Sequence, residues 1–80
     1  MDNRFDFYEI KKNIINHFNK INLEVQFSSS DNYQNMVKFR AVDNNKKEVI
    51  PEQIKNINEI DNKKDLDDYL RQLELFYNLR

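Results

Sequence analysis

Ile21-Asn22-Leu23-Glu24-Val25-Gln26-Phe27-Ser28 alternates apolar and polar side chains at every step. That period of two belongs to an extended strand with one dry face and one wet face. Ile21, Leu23, Val25 and Phe27 are therefore expected on a core. Downstream, Ser28-Ser29-Ser30-Asp31-Asn32 is rich in turn formers, and Met36 to Val42 reads as a second strand with Val37, Phe39 and Ala41 on one face. Pairing Val25 with Val37 would set Leu23 against Phe39 and Ile21 against Ala41. The same register would put Glu24 opposite Lys38 on the wet side as a favourable cross-strand pair.

After the second strand, Asp43-Asn44-Asn45-Lys46 is read as a turn, because Asn tolerates the left-handed conformation better than any residue but Gly. A short third strand, Lys47 to Ile50, follows. A two-residue loop would bring Ile50 inward, whereas a three-residue loop would bring Val49 inward. Pro51 is expected to stop the ladder, since it has no N–H to donate. Between Glu52 and Ile60 the pattern is weak, and Ile54, Ile57 and Ile60 at spacing three suggest a helical turn or two.

Two helices flank this meander. Asp6 as cap, Glu9 three residues on, and Phe5 with Ile10 as a hydrophobic staple mark one helix start. From there Phe7, Ile10, Ile14, Phe18 and Ile21 recur at spacings of three and four, which predicts a helix over Phe7 to Asn19. At the other end, Asp61 or Asn62 can cap a helix from Lys63 to Asn78 whose apolar face is Leu66, Tyr69, Leu70, Leu73, Phe76 and Tyr77. The expected fold is α+β: an N-terminal helix, a three-stranded antiparallel meander and a C-terminal helix, with both helices on one face of the sheet. Residues 1–80 make one domain, because so short a chain supports a single core.

Composition removes whole classes of chemistry. The chain has no Gly, so it carries no Walker loop, dinucleotide fingerprint or nucleophile elbow. With no Cys it has no disulfide, thiolate metal site or cysteine nucleophile. His17 is the single histidine, placed at the margin of the first helix's apolar face as a half-buried packing residue. The serines sit together in a turn-rich loop, where hydroxyls bond local backbone. No enzyme activity, metal or cofactor is expected. Thirteen basic against 14 acidic residues give a net charge of −1, which offers no field to draw nucleic acid or anionic lipid. Without a signal-like or membrane-spanning run, a cytoplasmic location is expected. Heavy use of Asn, Lys and Ile suggests an AT-rich bacterial genome, its phages or its mobile elements.

Binding remains. Leu75 and Leu79, four residues apart and opposite the main face of the last helix, would form a small apolar patch rimmed by Asp68, Arg71 and Gln72. Tyr8 and Ile15 make a second stripe on the first helix. Glu59, Asp61 and Asp65, with Asp67 and Asp68, form an acidic stretch interrupted by Lys63 and Lys64 that could engage a basic surface. Asp65, Asp67 and Asp68 also suit the helix dipole. The expected function is a small module that binds a protein partner or a second copy of itself through these residues. In size, composition and element order the chain resembles small phage inhibitors, of the kind that includes anti-CRISPR proteins.

Helix, three strands, helix, with Lys63-Lys64 at the start of the second helix, also resembles a double-stranded-RNA-binding domain. That resemblance implies phosphate contacts from those lysines. The family's glycine-containing hairpin loop and its further basic residues are missing here, and Asp65, Asp67 and Asp68 would face the phosphates.

Overall fold

The computed structural model describes residues 7–28 and 36–79. In chain order these form α1 (Phe7–Asn19), β1 (Glu24–Phe27), β2 (Met36–Val42), β3 (Glu48–Asn56), a 3-10 turn (Ile57–Glu59) and α2 (Lys63–Phe76). The strands make one antiparallel sheet in the order β1-β2-β3. The expected α+β arrangement is the one present. The proposed N-terminal cap and staple, at Phe5 and Asp6, and the serines at 29 and 30 lie outside the described residues.

A single apolar layer joins the elements. Ile10, Ile14 and Phe18 of α1, Val37, Phe39 and Ala41 of β2, Ile50 of β3, and Leu66, Leu70 and Leu73 of α2 are all buried in one cluster. The three α1 residues recur every fourth position and so descend one side of the helix. The three β2 residues alternate and so share one side of the strand. Both helices therefore cover the same face of the sheet, and the opposite face carries Gln26, Arg40, Glu48 and Ile54.

With no glycine in the chain, asparagine ends both helices. Asn22 and Asn78 take φ values of 65° and 61°, in the left-handed region. After α1, the Leu23 N–H donates to the Phe18 carbonyl at 3.0 Å and the Asn22 N–H to Asn19 at 3.1 Å. After α2, the Leu79 N–H donates to Glu74 at 2.8 Å and the Asn78 N–H to Leu75 at 3.2 Å. Both are Schellman turns, which satisfy the last helical carbonyls and fold the following hydrophobic residue back onto the helix. Leu23 and Leu79 accordingly pack against the core.

Several expectations are corrected. The observed register pairs Val25 with Ala41 and Phe27 with Phe39, four residues from the expected one. Four is even, so the faces are preserved while the partners change. Glu24 lies opposite Val42 rather than Lys38, and its carboxylate meets Lys46 Nζ at 2.7 Å. This hydrogen bond, helped by Gln26 and the lysine's charge, holds the Glu24 carboxyl below its usual range. In the β2–β3 turn Lys46, not an asparagine, is left-handed, with φ 65°. The Asp43 carboxylate accepts from the Asn45 and Lys47 N–H groups at 2.9 and 3.0 Å and holds that turn.

Pro51 does not end the ladder; β3 runs through it to Asn56. Val42 pairs with Glu48, Ala41 with Ile50 and Phe39 with Gln53, so β3 spends an extra residue at each of two bulges, the second of which contains the proline. An edge strand with bulges tolerates a missing N–H where a central strand would not. Ile50 is buried and Val49 half-buried. Ile54 lies on the strand and is exposed, so only residues 57–59 form the helical turn expected in this stretch. α2 stops at Phe76 rather than Asn78, and Phe76, expected in the core, is 77% exposed.

Two outcomes follow from this packing. Phe39→Ala should cost about 3–5 kcal/mol in urea unfolding, because its cavity opens at the centre of the core, whereas Phe76→Ala should cost less than about 1 kcal/mol. Burial, with Tyr77 adding a smaller effect, pushes the Tyr69 phenol up to about 12 from its ordinary 10.0. The unfolded chain then loses this proton first, so the contribution is complete below pH 10 and is lost as pH rises towards about 12. Unfolding measured across that interval should show a smaller loss of stability for Tyr69→Phe than for the parent protein.

Candidate functional site

α2 begins with a reciprocal cap. The Asn62 side chain accepts from the Asp65 N–H at 2.9 Å, and the Asp65 carboxylate accepts from the Asp61 N–H at 3.1 Å. The Asn62 side chain thus satisfies one N–H that the helix start would otherwise leave open, and Asp65 satisfies that of the residue before the cap. One turn further on, Lys63 meets Asp67 at 3.4 Å and Lys64 meets Asp68 at 3.2 Å, while Glu59 pairs with Lys55 at 3.3 Å. Of the acidic stretch read from the sequence, Glu59, Asp65, Asp67 and Asp68 are engaged within the chain. Asp61 offers its carboxylate to no partner among the described residues. Lys63 and Lys64, the two cations that carried the likeness to double-stranded-RNA-binding domains, each pair with an aspartate while remaining exposed.

Along the outer side of α2, Asp68, Arg71, Gln72 and Leu75 are exposed and recur at spacings of three and four, so they form one stripe. Leu75 is 64% exposed, and Phe76 stands beside it. Leu79 does not join them. The helical spacing that linked it to Leu75 ends at Phe76, and the turn at Asn78 sends it back to the core. The structure therefore groups Asp68, Arg71, Gln72 and Leu75, adds Phe76, and sets Leu79, Glu59, Asp61 and Asp65 apart.

On the neighbouring flank of α2, which Arg71 borders, lies a pair that the sequence reading missed. Glu74 is only 1% exposed, and its carboxylate meets the His17 imidazole of α1, which is partly open to solvent. Glu74 follows Leu70 by four residues, which places it on the buried flank, and His17 stands at the margin of the α1 face. Those two positions are the signal that would have found the pair. His17 and Glu74 line a cleft of about 260 Å³ with Lys20, Ile21, Lys63 and Arg71. No hydroxyl or thiol stands among its described lining residues. What the pair does is tie α1 to α2 through a desolvated polar contact.

The α1 flank away from α2 carries Tyr8, 71% exposed, and Ile15, 45% exposed. Lys11 Nζ lies 5.2 Å from the Phe7 ring centre and 5.0 Å from that of Phe27, spanning helix and sheet. On the bare sheet face Arg40 donates to Gln26 at 2.8 Å and Ser28 to Glu52 at 2.8 Å, so this surface is internally bonded. Among the described residues no three His, Cys, Asp or Glu side chains gather as a metal would require, and no helix is long and apolar enough to cross a membrane.

No family model, no curated protein and no solved structure matches the chain. Its functional assignment rests on its own residues.

The His17–Glu74 contact has a measurable signature. His17→Leu alone removes the imidazole from a buried carboxylate and should cost about 1–3 kcal/mol. The double variant His17→Leu with Glu74→Met, which fills the same space with apolar atoms, should recover most of that loss in urea unfolding.

Proposed function

We propose that this domain is a non-enzymatic protein-interaction module of the cytoplasm, an inhibitor or adaptor that engages its partner through the outer side of α2. Leu75 and Phe76 form the apolar centre, and Asp68, Arg71 and Gln72 form the polar rim. The observation that carries this reading is the exposure of two adjacent large apolar side chains, 64% and 77%, at the end of a helix whose other side is packed. In a chain of 80 residues with one small core, leaving a Leu and a Phe in water forgoes burial worth about 1.5–3 kcal/mol each. A partner surface recovers it. A centre of this kind surrounded by polar groups is the usual anatomy of a binding patch. The acidic stretch contributes less, because all but Asp61 of its carboxylates are already paired or capping.

Nothing favours nucleic acid as the partner. The lysines nearest a helix start are paired to aspartates, and the net charge is −1.

The test is capture from source cells by tagged protein, compared with the Leu75→Gln/Phe76→Gln variant. Loss of the captured partner, with an unchanged thermal melt, is expected. Undiminished capture by the variant contradicts the assignment. Light scattering on the same two proteins establishes whether the partner is a second copy.

A further inference from the structure

The sheet has two edges, β1 and β3, with β2 between them. They differ in what they can accept. The β3 edge is interrupted by Pro51 and by two bulges, devices that block further strand pairing. β1 has neither, and its pairs with β2 run unbroken from Glu24↔Val42 to Phe27↔Phe39.

The antiparallel ladder identifies the groups left free. The Ser28 N–H donates to the Lys38 carbonyl at 3.0 Å. At steps of two, Gln26 and Glu24 also direct their backbone groups to β2, so Val25 and Phe27 direct theirs away from it. Among the described residues β2 is the only strand paired with β1.

This edge runs beside a trough. A groove of about 390 Å³ is lined by Ile15 and Asn19 of α1 together with Leu23 and Val25. It shares Ile15 with a second groove of about 520 Å³ along α1, lined by Tyr8, Lys11 and Lys12. The groove along α1 is mainly apolar with Lys11 and Lys12 on its rim, whereas the one beside β1 sets Ile15, Leu23 and Val25 among Asn19, Asn22 and Asn44. The one carboxylate among the described lining residues, Glu24, is already bonded to Lys46 at 2.7 Å, so the rim keeps its positive charge.

We propose that the β1 edge accepts an extended peptide of a partner protein as a fourth strand, apolar at alternate positions and flanked by Asp or Glu. Backbone groups of Val25 and Phe27 supply the ladder, the trough floor takes the alternate side chains, and Lys11 and Lys12 take the flanking carboxylates. A second copy fits this edge poorly, because two β1 edges meeting about a two-fold axis would set the Lys11–Lys12 rims against each other. The site lies on the α1 side of the domain and does not depend on the α2 surface.

Panning a displayed library of random ten-residue peptides against the full chain tests this, with amide exchange read by NMR on the peptides recovered. Enrichment of sequences alternating in apolar residues with flanking Asp or Glu is expected. The Val25 and Phe27 amides should exchange freely in the peptide-free protein and slow by about tenfold or more when peptide binds. Lys12→Glu should weaken binding by roughly fivefold or more, and Leu75→Gln/Phe76→Gln should leave it unchanged. Failure to enrich this class overturns the proposal. So does binding that leaves both amides unprotected. Protection of the two amides without peptide also overturns it, and a dimer by light scattering would then assign the edge to a second copy.

Discussion

Phe39 is the contact on which the rest of the structure depends. Its ring, with no exposed surface, lies 6.3 Å from Phe18 of α1, 6.3 Å from Phe27 of β1 and 6.4 Å edge-on from Tyr69 of α2. One side chain at the centre of the middle strand thus touches both helices and the neighbouring strand. Aromatic pairs at these separations contribute about 0.5–1.5 kcal/mol each beyond the area they bury. Because all three partners converge on one face of β2, the helices must share that face. The other face and the β1 edge are left outside.

That division decides where binding can occur. A domain this small has apolar side chains for one core and few to spare, so exposed ones are informative. Two Schellman turns, each built on an asparagine, draw Leu23 and Leu79 inward and stop the helices sharply. What remains outside among the described residues, apart from Ile54 on the sheet, is Leu75 with Phe76 on α2, and Phe7, Tyr8 and Ile15 on α1. These two surfaces stand on different helices and differ in their polar surroundings. The α2 stripe carries both signs of charge around its apolar centre. The α1 flank has a basic rim beside β1, which pairs only with β2 among the described residues.

Much of the fold was legible because periodicity reports faces directly. α1 occupies Phe7–Asn19 as its spacing predicted, and the dry side of β2 is the one its alternation marked. Register was not legible, since a slip of four residues leaves the period-two pattern intact and only the chain between the strands distinguishes the two. At Pro51 the local rule was sound for a central strand but was overridden by an edge position with bulges. Of the candidate site, Asp68, Arg71, Gln72 and Leu75 were placed on one stripe by simple helical geometry. Leu79 was misplaced because nothing in its spacing shows that the helix has ended; Asn78 was the residue that could have shown it. Glu74 escaped notice because a lone carboxylate in a charged helix looks solvated unless its partner on another helix is known.

Phe39 joins both helices to one side of the sheet. An aromatic-labelled NOESY spectrum tests it most directly. Cross-peaks from the Phe39 ring to the rings of Phe18, Phe27 and Tyr69 together are expected. Cross-peaks to Phe27 alone, with none to Phe18 or Tyr69, would contradict it, because the helices would then not share the face on which every inferred surface depends.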